Sequence, residues 1–403
     1  MREEELDIPT PTAGSLSDRD VVEAHENLSK LDLSDEIRAT VNARGSTTSG
    51  IVLAHKDTTG WVGEAHLRDR EEREAEQEAR LATKATRSHG AGNRRISEEA
   101  DPVRTCFEKD ADRIRYSTAF RRLAGKCQVF VAPTNDHLRN RLTHALETAQ
   151  VALAVAKIVG LNEHLVEAIA IGHDCGHGPT GHSCEEALSG YLPGGYDHAP
   201  YGADVTLLGQ NLCAETLDGI RNHSWKRPAP FTPEGELVSL ADRISYVCHD
   251  FADARVAGIV TSKDLPKIVA EAAGERHSDQ IGYFVSRLAA TITNHGRIAL
   301  DEEAAAVLDA FRTTNFERIY LRPASMEQAD RSVRLLQALT EHFIDMPGQI
   351  PDVAGGLVEH PGSGTSAAAE QAVRYISGMT DRYALGLGVE LLGLNAKDLP
   401  KGV

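Results

Sequence analysis

Between Arg139 and Glu185 the chain reads Arg-Asn-Arg-Leu-Thr-His, then a long apolar run, then Gly-His-Asp-Cys-Gly-His-Gly-Pro-Thr-Gly-His-Ser-Cys-Glu. Any fold of this chain must bury the apolar run, yet at its ends it must also seat imidazoles and carboxylates that are costly to bury unpaired. Seven of the 17 histidines fall between His137 and His198. Helical spacing places Arg141 and His144 on one face. The run from Glu163 to Ile171 predicts a second buried helix, ending near Gly172. That leaves His173 and Asp174 adjacent, where backbone regularity stops. Gly176, Gly178, Pro179 and Gly181 then allow a tight turn into a short helix carrying His182 and Glu185. These two stand three apart, so Glu185 is expected to hold the His182 ring in one tautomer.

An adjacent His-Asp pair can offer one ion both an imidazole nitrogen and a carboxylate, donors suited to Mn, Fe, Co, Ni or Zn and partly to Mg. His144 would add a second nitrogen from the neighbouring helix. Asp242, on a later apolar helix, is the candidate fourth ligand, and Tyr246 and Asp250 follow it at helical spacing along one stripe. Burying an Asp-Tyr-Asp stripe needs partners, which a metal at one end and a hydroxylated ligand at the other would supply. Cys175 and Cys184 flank the histidines, but their spacing fits no structural zinc site and they read as small buried hydrophobes.

The rest of the chain limits the function classes. A net charge of −17 argues against general attraction to nucleic acid or membrane surfaces. No uninterrupted apolar run approaches the ~20 residues needed to span a bilayer. The six cysteines show no disulfide-dense spacing and the N-terminus is too acidic for a signal peptide, so the cytoplasm is the expected compartment. Residues 104–141 nevertheless hold nine Lys or Arg against four Asp or Glu, which implies an anionic ligand nearby. Arg121, Arg122 and Lys126 are the candidates there, with the phosphate of a small ligand as the simplest partner.

Organisation follows from periodicity. Residues 1–66 read as an acidic extension with at most a marginal helix at 21–33. Residues 67–85 read as a solvated helix, 104–260 as the core and 261–385 as a helical C-terminal part. The last helix is expected around 367–379 and a tail at 386–403. Strand-like alternation is nearly absent, so the predicted class is all-α and multi-helix.

The His144…His173-Asp174…Asp242 series resembles the HD superfamily of metal-dependent phosphohydrolases. It is most similar to the deoxyguanosine triphosphate triphosphohydrolase-like (dNTPase) family. Phe120–Phe130, Arg141–His144, Gly172–His182, Asn211–Ile220, Leu240–Tyr246, His249-Asp250, Tyr320–Pro323 and Gly378–Tyr383 carry the resemblance, in the family's order. It implies one divalent ion per chain, Mg or Mn first and Co, Ni, Fe or Zn otherwise, on His144, His173, Asp174 and Asp242. It also implies hydrolysis of a deoxynucleoside triphosphate to the deoxynucleoside and inorganic triphosphate. His182 with Glu185 is the expected general acid pair, and His177, His198 and Arg141 are expected to meet phosphate. Gln128 matches a residue near sugar and base, while Tyr246 and Asp250 match residues at C2′ and the 3′-hydroxyl. Two departures stand out: Ala199-Pro-Tyr201 follows His198 where relatives carry Asn, and Arg243 replaces a frequent second Asp. The resemblance further implies a homo-oligomer, a hexamer, and an allosteric nucleotide. The rival readings are another HD-type phosphohydrolase or phosphodiesterase, and a regulatory nucleotide-binding protein.

Overall fold

The computed structural model describes residues 62–351, 360–395 and 397–401. The marginal helix at 21–33, and all but the end of the acidic extension, lie outside them. The chain divides into two units, Met1–Leu67 and Arg68–Val403, and every helix described here belongs to the second.

Many of the helices start on a residue whose side chain replaces a missing backbone partner. Asp69 opens α1 (Arg70–Glu78) and Thr105 opens α2 (Cys106–Tyr116), each in a reciprocal capping box with the Glu three residues on. Ser117 caps α3 (Thr118–Arg122). Asn140 caps α4 (Arg141–Val159), which left-handed Gly160 ends, and Asn162 caps α5 (Glu163–Gly172). The short helices α6 (His182–Ser189) and α7 (His198–Tyr201) precede α8 (Ala214–Asn222). Thr232 caps α9 (Pro233–Val256), whose first position is a proline. The remaining helices are α10 (Lys267–Ala273), α11 (His277–His295), α12 (Glu302–Asn315), α13 (Pro323–Asp345), α14 (Ser366–Ser377) and α15 (Asp381–Leu392). Among the described residues there is no strand, only the isolated bridges Arg94–Cys213 and Cys127–Asn140. The architecture is all-α.

Two apolar cores organise the unit. In the first, Ala145, Ala152 and Val155 of α4, Leu165 and Ile169 of α5, and Val238, Ile244 and Val247 of α9 are fully buried. Each large side chain so buried is worth roughly 1.5–3 kcal/mol over exposure. Small alanines let α4 lie close to α5, α9 and α11, its packing neighbours. By length and composition α4 could cross a membrane, but it is laid into this core and keeps Arg141 and His144 buried at its start. The second core joins Leu188 of α6, Leu336, Leu339 and Phe343 of α13, and Val373 and Ile376 of α14.

Two elements differ from expectation. The solvated helix of 67–85 contracts to α1, which buries no residue. Beyond Ser377 the chain does not trail away: α15 continues to Leu392, and Leu399 is 8% exposed in the second core. Ala384, Leu385, Leu387 and Leu391 supply the apolar face of α15, but Gly386, Gly388 and Gly393 dilute that pattern in sequence.

Candidate active site and metal centre

The starts of α4, the end of α5 and the middle of α9 bring the four proposed ligands together. His144 Nε2 lies 3.0 Å from Asp242 Oδ1 and 3.2 Å from His173 Nε2. Asp174 joins through Oδ1, 3.5 Å from His173 Nε2, and Oδ2, 3.8 Å from His144 Nε2. Donors about 2.1 Å from one ion, 90–109° apart, stand ~3.0–3.4 Å from each other, so these spacings are near ligand-to-ligand edges. The tautomers agree. His173 Nδ1 is 2.6 Å from the Ala170 carbonyl, to which it must donate, leaving its Nε2 as a bare lone pair. Two lone pairs and two carboxylates facing inward repel unless a cation sits between them. Burial works against a charged His144, yet Asp242 and Asp174 more than offset it and raise its pKa. Burial likewise opposes the Asp174 charge, but Arg141, His173 and His177 hold it well below the usual carboxylate range. The residues therefore fit a divalent ion.

His249 completes this end. Its Nε2 is 3.1 Å from His144 Nδ1, and its Nδ1 is 2.7 Å from Glu147 Oε2. Partners of this kind orient a ligand ring and set its basicity.

The glycine-rich turn brings a second set of imidazoles against the first. A Cβ at Gly176 would lie 2.0 Å from the His198 carbonyl oxygen, so only glycine lets the turn pass α7. Gly181 adopts φ 64°, and a Cβ there would lie 2.6 Å from Arg141 Nη2. His177 stacks on His198 with ring centres 3.7 Å apart, and its Nε2 is 3.2 Å from Asp174 Oδ1. His198 Nε2 faces His223 Nε2 at 3.1 Å, while His223 Nδ1 is 2.8 Å from the Ile220 carbonyl. His144, His173 and Asp242 form one group of potential ligands, and Asp174 joins two adjoining ones, with His173 and His223 and with His177 and His198.

Glu185 does not hold His182. Its Oε1 accepts from His198 Nδ1 and from the His198 backbone N–H at 2.9 Å. The reason is geometric: α6 and α7 meet so that the second residue of the spacing pair points at the start of α7, while His182, partly open to solvent, sets its ring edge-on to that of His177 with centres 5.3 Å apart. Burial lowers the His198 pKa, but Glu185 more than offsets it and the net shift is upward. Burial, with His173 and His198 adding to it, pushes His223 down to about 3. The proton between the two rings therefore belongs to His198. The pKa of His182 is lowered, by the protein crowded around it and then by Arg141.

On the other side, Arg141 Nη1 donates to Asp174 Oδ2 at 2.7 Å, and Nε and Nη2 are buried without a partner. Gln128 Oε1, His177 Nδ1 and Asp250 Oδ1 are likewise buried and unpaired. Asp250 Oδ2 accepts from the Tyr320 hydroxyl at 2.5 Å, and Tyr246 accepts from Arg312 Nε at 3.3 Å. Burial pushes Asp250 up to about 7 against the lowering effect of Tyr320. Arg243 lies 3.4 Å from the centre of the Trp225 ring, in a cavity of about 530 Å³ also lined by Arg227 and Arg312. The basic candidates near residue 120 are not at the site. Lys126 is buried, its ammonium donating to the carbonyls of His177 and Ser377, and Arg121 is exposed and bonded to the Tyr116 carbonyl.

His223, His249, Tyr320 and Arg312 were not singled out by residue-level reasoning. His223, like His173, is the residue just past a helix end and bonds the carbonyl three residues back. His249-Asp250 repeats the His-Asp doublet.

Residues 141–247 match the HD domain, and residues 298–388 match the phosphohydrolase-associated domain. An all-α unit with this cluster at the meeting of three helices is an HD-domain hydrolase. The deoxyguanosinetriphosphate triphosphohydrolase-like protein of Caldanaerobacter subterraneus subsp. tengcongensis is 38% identical over 312 residues, 76% of this chain and 90% of that one. Its namesake in Clostridium perfringens is 38% identical, covering 71% of this chain and 86% of the other. That of Desulfatibacillum aliphaticivorans is 33% identical, covering 78% and 94%. The chain belongs to the deoxyguanosinetriphosphate triphosphohydrolase-like family.

Proposed function

We propose that this protein hydrolyses deoxynucleoside triphosphates to the deoxynucleoside and inorganic triphosphate, with one divalent ion per chain, Mg or Mn, held by His144, His173, Asp174 and Asp242. The observation that carries this reading is the set of unpaired buried atoms bordering the ligand cluster: donors on Arg141, and acceptors on His177, Gln128 and Asp250. Orphaned buried polar atoms cost about 1–3 kcal/mol each, so a ligand with anionic oxygens at one end and hydroxyls at the other is what they fit.

When bound, the ion would polarise a phosphoryl oxygen and orient or acidify water. Arg141 binds phosphate oxygens through Nε and Nη2, and His177, which donates from Nε2 to Asp174, lines the same side of the site. His198, kept protonated by Glu185, supplies the proton that the leaving 5′-oxygen needs, with His182 at the mouth as a phosphate contact. Asp250 accepts from the 3′-hydroxyl, Tyr246 crowds C2′, and Gln128 contacts sugar and base. Arg243 faces the outer phosphates from its stack on Trp225. Assembly as a homo-oligomer, a hexamer, and activation by a second nucleotide rest on resemblance, and light scattering with and without dNTP tests both.

The deciding experiment is chromatography of the products formed from each dNTP, and from GTP, with Mg or Mn. Deoxynucleoside and triphosphate in equal amounts, with GTP a poor substrate, is the expected result. Release of single phosphates, or equal turnover of GTP and dGTP, overturns the reading.

A further inference from the structure

The turn that carries His177 and His182 contains two consecutive left-handed residues, Thr180 at φ 61° and Gly181 at φ 64°. Glycine adopts this region freely, but threonine, branched at Cβ, does not. Something must hold Thr180 there. Its backbone N–H donates at 2.8 Å to Oδ1 of Asp381, the first residue of α15. The other oxygen of the same carboxylate accepts from the Cys127 N–H at 3.0 Å. Asp381 is 4% exposed and Thr180 is 5% exposed, so water does not compete for either bond. Lys126 braces the same junction from the adjacent position. Its ammonium bonds the carbonyls of His177 and Ser377, and its own carbonyl accepts the Arg141 N–H at 3.0 Å.

We infer that Asp381 is a positioning residue: one carboxylate from the last helix clamps the strained Thr180 turn to the segment leading into Gln128. In this way the C-terminal part of the chain sets where His177, His182 and Gln128 stand relative to Arg141. A packing residue would need only volume there. Two N–H groups from segments more than fifty residues apart, met by the two oxygens of one buried side chain, require an acceptor with that fork geometry.

The kinetic arm of the test rests on the proposed triphosphohydrolase activity; the exchange arm does not. Asp381→Asn, which can accept from only one of the two N–H groups, is compared with wild type, Thr180→Gly and the double variant, all loaded with Mn. In Asp381→Asn, hydrogen exchange of the amides of Cys127 and residues 177–182 is expected to quicken by about tenfold or more, the factor that ~1.4 kcal/mol carries. Metal content stays at the wild-type level, and kcat for dGTP falls by about tenfold or more. Adding Thr180→Gly restores most of kcat, because glycine holds the left-handed conformation without the clamp. Unchanged exchange in Asp381→Asn overturns the inference. So does a lost kcat that Thr180→Gly does not recover, or a chain that is insoluble in both backgrounds, since each makes Asp381 a residue of the core alone. If the wild type releases no triphosphate, the proposed activity fails while exchange still decides the clamp.

Discussion

Asp250 trades stability for a ligand contact, and Asp250→Asn should expose the trade. The carboxyl is 3% exposed, accepts from the Tyr320 hydroxyl through Oδ2 and has no hydrogen bond on Oδ1, which stands 3.8 Å from His249 Nε2. Burial pushes its pKa up to about 7 from an ordinary value of 3.8. Between those values the folded chain binds a proton that the unfolded chain has released, so stability is lost as pH rises from 3.8 through about 7. A shift of that size corresponds to at most about 4 kcal/mol, fully expressed above pH ~7 and absent near pH ~4. An amide keeps the carbonyl that Tyr320 needs and never ionises. The variant is therefore expected to match wild type near pH ~4 and to melt several degrees higher at pH ~8, at roughly 2 °C per kcal/mol for a unit of this size. The assay is thermal unfolding of both proteins at the two pH values with metal present. Taking the difference cancels the histidines, which titrate alike in both. The same substitution should raise KM for dGTP by about tenfold or more, since a hydrogen bond to a charged group is worth about 1.5–3 kcal/mol. A variant less stable than wild type by the same amount at both pH values would refute the argument, because the buried charge would then carry no cost.

Asp174→Ala should lose both bound ion and turnover, since that carboxylate links the His173 and His177 ligand groups, and elemental analysis beside an activity assay checks it; full activity after exhaustive chelation would remove the metal from the mechanism. His198→Ala is expected to cut kcat by about 10²–10⁴-fold at unchanged metal content, Glu185→Gln by less, and His182→Ala by under about tenfold; the reverse order would return the acid's role to His182. His249→Ala should weaken metal affinity by roughly 10–100-fold by freeing the His144 ring, read by competition with a fluorescent chelator, whereas an unaltered affinity would reduce His249 to a space-filling residue.

The sequence already showed the elements that obey a period and the pairs that sit on one element. Apolar spacing marked α4, and helical spacing alone put Arg141 and His144 on one face and Asp242, Tyr246 and Asp250 on one stripe. What spacing does not carry is the angle at which two elements meet. Glu185 stands three residues after His182, a distance that licenses a bond within α6, yet the carboxylate turns to α7 because the intervening loop returns His198 to that spot. Lys126 looked like a phosphate contact because it is basic and sits beside apolar residues, but the same features fit a buried ammonium tying two carbonyls. The hardest case is Asp381. It opens a helix more than two hundred residues from the turn it clamps, where an aspartate in the first turn is expected for its charge alone. Its second partner, Cys127, donates only a backbone N–H, a group that every non-proline residue carries and no side-chain pattern can announce. Side chains that meet side chains leave a trace in residue types, whereas a carboxylate that meets backbone leaves it only in the strained φ of Thr180, which coordinates alone reveal.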